Sequence, residues 1–140
     1  MKIIFNSIII LFMLVSCSKK EEEEKFQAFS PEAFAYDIGD SWEINATVNV
    51  KGFVRKEAGD ELLASLDISV DLVNPDGAKT QDVFIDTKEV TSKELVDVQL
   101  EAQFELDYNS SDGLYEIIFH ITDKYSGEII EAETKFELKK

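Results

Sequence analysis

The chain has 140 residues, 44% of them hydrophobic, and a formal charge of −15 at neutral pH. That length suits one ordinary domain plus a targeting segment, and the apolar fraction excludes global disorder. A surface this acidic repels phosphate backbones, so nucleic acid is excluded as a partner. Cys17 is the single cysteine, which rules out an intramolecular disulfide and any metal site built on clustered cysteines.

The first element is a leader. Met1-Lys2 supplies a positive start, Ile3-Ile4-Phe5 and Ile8 to Val15 are apolar, and no further charge precedes Cys17. This is the layout of a secretory signal. The apolar stretch is short for a spanning helix, which needs ~20 such residues. It ends in Leu14-Val15-Ser16-Cys17, which resembles the lipobox of bacterial lipoproteins. The resemblance implies that residues 1–16 are removed as a signal peptide and that the Cys17 thiol carries a diacylglyceryl thioether, with acylation of the new amine. Ser16 is small because the peptidase must reach the bond before Cys17. Two or three acyl chains, at roughly 0.8 kcal/mol per buried methylene, hold a protein on a bilayer durably. Membrane lipid is therefore the first expected partner.

Residues 17–40 read as the lipidated cysteine, a tether and a short helical or irregular segment. Lys19-Lys20-Glu21-Glu22-Glu23-Glu24-Lys25 is a run of seven charges, which resists burial and spaces a domain from the bilayer. A Glu-rich stretch just after the cysteine resembles the surface-export signals of Bacteroidetes-type lipoproteins, and Ser18 is not the aspartate of an inner-membrane retention signal. This implies an outer-membrane location with surface exposure; the alternative faces the periplasm. Ser30-Pro31-Glu32-Ala33 predicts a brief helix start, with Ser30 as N-cap and Pro31 in the first turn, broken by Asp37-Ile38-Gly39-Asp40. Phe26, Phe29, Phe34 and Tyr36 are expected to fold back onto the domain or to meet a partner.

From Ser41 the hydrophobic period is two, the strand signature. Trp42, Ile44, Ala46, Val48 and Val50 form the first inward row, and Gly52 then reverses the phase before Phe53. Lys56 to Leu63 is ambiguous between helix and strand. Ala64, Leu66, Ile68, Val70 and Leu72 form the second row, closed by the turn Asn74-Pro75-Asp76-Gly77. A shorter strand is predicted over residues 80–86. The next inward row runs Val96, Val98, Leu100, Ala102, Phe104 and Leu106, and Asn109-Ser110-Ser111-Asp112-Gly113 turns the chain. Tyr115, Ile117, Phe119 and Ile121 follow, then the turn Asp123-Lys124-Tyr125-Ser126-Gly127. Ile130, Ala132, Thr134, Phe136 and Leu138 finish the domain.

Strict alternation gives each sheet one dry face and one wet face, and two such sheets stack into a sandwich. The expected fold for residues 41–140 is an all-β, immunoglobulin-like antiparallel sandwich of about seven strands. Gly113-Leu114-Tyr115-Glu116-Ile117 resembles the tyrosine corner of that fold, with Ile117 where antibody domains carry a cysteine and Asp112 one place nearer the tyrosine than usual. Tyr115 to Gly127 also resembles the closing hairpin of bacterial PKD-like modules, although their WDFGDG-like motif is absent.

Chemistry-bearing motifs are scarce. His120 is the lone histidine and falls on a wet face; no Ser/His/Asp set, phosphate loop or zinc pair accompanies it. Asp37, Asp40, Asp60, Asp76, Asp112 and Asp123 lie in or beside turns, where oxygens can converge on calcium. None forms an EF-hand loop, and turn geometry accounts for them. No catalytic residue, cofactor or metal site is assigned; the one site residue is Cys17, for lipidation. The expected function is a non-catalytic binding or accessory lipoprotein of the envelope, presenting its sandwich to a protein partner or extracellular ligand. The alternative is a structural subunit of an envelope assembly whose edge strands pair with a neighbour.

Overall fold

A computed structural model describes residues 24–140. The signal-peptide reading of residues 1–16, the lipidation of Cys17 and most of the charged run lie outside the described residues. Eight strands follow in chain order: β1 (Gln27–Asp37), β2 (Ser41–Lys51), β3 (Lys56–Ala58), β4 (Glu61–Val73), β5 (Lys79–Ser92), β6 (Val98–Asp107), β7 (Gly113–Asp123) and β8 (Ile129–Leu138).

Two antiparallel sheets result. One has the order β1-β2-β6; in the other, β4 pairs with β5 along one edge and with β7 along the other, and β8 follows β7. The short β3 pairs with the start of β4, and Gly59, at a φ of 68°, makes the turn between them. The chain crosses from the first sheet to the second between β2 and β4, returns at β6 and crosses again to β7. This Greek-key path defines an immunoglobulin-like sandwich.

The core is the union of the alternating rows. Ile44, Val48 and Val50 of β2, Leu66 and Val70 of β4, Leu100 of β6, and Ile117, Phe119 and Ile121 of β7 are all buried. Burying each such side chain is worth about 1.5–3 kcal/mol, so these rows dominate the stability of the sandwich. Gly52, at a φ of 71°, ends β2 and turns Phe53 into the core, which explains the phase reversal in the sequence. The outermost positions depart from the predicted rows. Val96 is exposed and precedes β6, and of the last row only Phe136 and Leu138 are buried.

The segment before residue 41 differs from expectation. Residues 27–37 form a strand, not a helical turn, and belong to the sandwich. Ala28, Ala33 and Ala35 lie opposite the inward Val50, Ala46 and Ile44 of β2, so the period is two here as well. Ser30 takes a φ of 50° and the register shifts between Phe29 and Glu32, a bulge that accommodates Pro31. Because β1 is an edge strand, the proline's missing N–H costs no ladder bond on its free side. Ser30-Pro31 thus marks a bulge where a helix cap was predicted: pairing with β2 outweighs the local capping preference.

The poles of the sandwich are defined by the register. Gln27 pairs with Lys51 and Val50 with Val98, so the chain enters beside the end of β2 and the start of β6. Phe26 is buried there. At the other pole Asp37 meets Trp42, Ser41 meets Asp107 and Gly113 meets Leu138. Eleven-residue strands at roughly 3.3 Å per residue separate the two poles by about 35 Å.

Candidate functional site

The turn aspartates do not converge. Asp37 Oδ1 accepts from the Gly39 amide at 2.8 Å and Asp76 Oδ1 from the Ala78 amide at 3.0 Å, each closing its own turn. Asp60 faces Lys93 across 3.6 Å. Asp123 is 1% exposed and organises the opposite pole. Its carboxylate accepts from the Val54 amide at 2.8 Å, the Tyr125 amide at 2.9 Å and the Ser126 hydroxyl at 2.9 Å. These bonds tie the β7–β8 turn to the end of the other sheet. Among the described residues no group of three His, Cys, Asp or Glu side chains is placed to hold a metal ion.

His120 lies on the outer face of the β5-β4-β7-β8 sheet, as the alternation predicts. The structure adds partners that sequence spacing did not reveal. Its Nε2 donates to Asp71 Oδ2 at 2.9 Å, and its Nδ1 lies 2.9 Å from Glu131 Oε1. Asp71 also receives Lys79 Nζ at 2.9 Å and the Asp82 amide at 3.0 Å. Asp71, predicted to face water, is 4% exposed. Burial alone would raise its pKa; hydrogen bonds from Lys79, the Asp82 amide and His120 outweigh that and lower it to about 2. Asp71, Lys79 and Glu131 lie on three different strands, so only the register brings them to His120.

Two further ion pairs lie on that face, Lys124 with Asp67 and Lys135 with Glu116, each at 3.6 Å. The outer face of β1-β2-β6 is different. Glu32, Glu43, Glu101 and Glu105 have no cationic partner within 4.0 Å among the described residues. Glu43 and Glu105 stand directly opposite one another in register, a like-charge pair that costs stability. On the same face Phe34 is 55% exposed and Tyr36 52%. The sequence expectation that they fold back is therefore met by Phe26 and not by these two.

A third feature is a cleft of about 600 Å³ at the pole remote from Phe26, between the β4–β5 and β6–β7 turns. Leu72, Val83 and Leu106 line it, with Asn74, Thr80 and Asn109 among its polar groups. It arises because a three-stranded sheet faces a five-stranded one. Strand β5 overhangs, and the seam between β5 and β6 stays open.

These features define an immunoglobulin-like domain with an ion-paired face, an uncompensated acidic face and a polar cleft. No family model matches the chain. No curated protein matches it. Among solved structures it is similar to a protein from Archaeoglobus fulgidus, with 17% identity and a TM-score of 0.40, over 81% of this chain and 98% of that one. It is also similar to a Northeast Structural Genomics Consortium target, SoR45, with 13% identity and a TM-score of 0.40, over 83% of this chain and 86% of that one. Likenesses this low carry nothing about function.

Proposed function

We propose that the chain is a lipid-anchored bacterial envelope lipoprotein of the Bacteroidetes type, with a sandwich that acts as a non-catalytic binding module. The observation that carries this reading is the position of the chain's entry into the fold. Phe26 packs at one pole, nine positions after Cys17, and every strand then runs toward or away from a pole about 35 Å distant. An anchor at Cys17 puts the entry pole nearest the bilayer and turns the cleft-bearing pole outward. Fully extended, the chain from Cys17 to Phe26 reaches at most about 30 Å. The domain thus stays within one molecular length of an outer membrane, on the cell surface in this reading.

The arrangement at His120 supports a role without catalysis. The groups beside its ring nitrogens are the Asp71 and Glu131 carboxylates, and no serine or cysteine side chain is hydrogen-bonded to it among the described residues. The anchor is tested by feeding labelled fatty acid to cells that express the parent and Cys17→Ala chains. Label in the parent alone is the expected result, and equal label in both would refute the anchor.

A second reading, a subunit of an envelope assembly, draws on the exposed Phe34 and Tyr36 and the uncompensated carboxylates around them. Aromatic groups beside unpaired charge suit a protein interface. Crosslinking in intact cells separates the two readings. A stoichiometric neighbour captured through β1 favours assembly, whereas no neighbour favours the binding module.

A further inference from the structure

We infer that the cleft at the pole remote from Phe26 is a binding site for a small, neutral, polyhydroxylated ligand, a mono- or disaccharide. This deepens the binding-module reading and rests on it. At about 600 Å³, the cleft falls within the roughly 300–1,000 Å³ range of small-molecule sites. Its floor is apolar: Leu72 is buried, and Val83 and Leu106 pack against the core.

The rim decides the ligand class. In both bordering turns, backbone amides are already used. The Asn74 amide donates to Ala78 O at 2.8 Å, and the Gly77 amide to Asn74 O at 2.9 Å. The Ser110 amide donates to Asp107 O at 2.9 Å, and the Asn109 amide to Asp107 Oδ1 at 2.7 Å. Side-chain amides and hydroxyls of these turns and of β5 are left to a ligand. Asn74, Asn109 and Thr80 line the cleft and have no side-chain partner among the described residues. Each can both donate and accept, as sugar hydroxyls do. A pyranose also offers an apolar ring face to a floor such as Leu72 and Leu106.

Charge excludes the acidic sugars. Asp76 lines the cleft, and Asp112 lies in the adjoining turn. The Tyr115 phenol at the cleft's base is raised in pKa by burial first, and then by the negative charges of Asp76 and Asp112. The same potential repels a carboxylate on a ligand. With no cationic side chain in the lining, nothing offsets that repulsion.

Saturation-transfer NMR on the purified full chain tests the site, with maltose, cellobiose and lactose as neutral probes and glucuronic acid as the anionic one. Transfer to at least one neutral disaccharide is expected, with a dissociation constant on the order of 1 mM. The doubly substituted Asn74→Ala, Asn109→Ala chain should bind roughly tenfold more weakly, about 1.4 kcal/mol. Thr80→Val, on a strand and outside both turns, is the second arm and should also weaken binding. Absence of transfer to every neutral probe overturns the inference. So does transfer that both variants leave intact, or glucuronic acid binding as well as the neutral sugars. The acylation assay keeps the two failures apart. Lipid on Cys17 without sugar binding removes the saccharide site alone, and sugar binding without lipid removes the anchor alone.

Discussion

The hydroxyl of Tyr115 donates to the carbonyl oxygen of Ser111, four residues upstream, at 2.9 Å. The ring of Tyr115 stacks on Phe136 at 5.2 Å between centroids, so the corner joins the β6–β7 turn to the last strand. Tyr115→Phe keeps the ring and loses the bond. It should cost about 1 kcal/mol in urea unfolding. Tyr115→Ala also loses the packing and should cost about 3–5 kcal/mol.

Asp71 links acid stability to the outer face of its sheet. Its folded pKa of about 2 lies below the 3.8 of an unperturbed aspartate. A depressed carboxylate contributes stability above its unfolded pKa and loses it as pH falls through the folded one. The contribution is on the order of 2 kcal/mol, complete above about pH 5 and lost on the way down to about pH 2. Asp71→Asn should flatten that part of the stability-versus-pH curve, and chemical denaturation at pH 7 and pH 3 measures the difference.

Asp123 holds three donors while 1% exposed. Asp123→Ala leaves the Val54 amide without its partner in a part-buried setting. The expected loss is about 3 kcal/mol or more. Hydrogen exchange should accelerate at Val54 and Tyr125 before it does at residues of β4.

Gly52 combines a φ of 71° with a close approach of the entering chain. A Cβ there would collide with the backbone carbonyls of Lys25 and Glu24. Gly52→Ala should therefore destabilise by about 2 kcal/mol or more and displace Phe26 from its pocket. Limited proteolysis near residue 25 reads the displacement directly. The control Gly59→Ala has no such neighbour and should cost less, through its positive φ alone.

The strand rows were legible because a sheet with one dry face imposes a period of two on the sequence, and Trp42 to Lys51 of β2 and Ala64 to Leu72 of β4 show it without interruption. The tyrosine corner was legible for a similar reason: Tyr115 and Ser111 lie within one turn of each other along the chain. The bulge at Ser30-Pro31 was not. A cap and a proline favour a helix start locally, and only pairing with β2 makes the segment a strand.

The sequence by itself determined the fold class, the inward rows and the sharply acidic character, because alternation and charge are local properties of the chain. It also carries the Cys17 motif on which the anchor proposal rests. Tertiary structure alone decided that Asp71 and Glu131 flank His120 while Lys79 joins Asp71, that Phe34 and Tyr36 face outward, and that a cleft opens where three strands meet five. Those relationships join residues on different strands, and the register that brings them together is set by the packing of the whole core and not by any neighbouring residue.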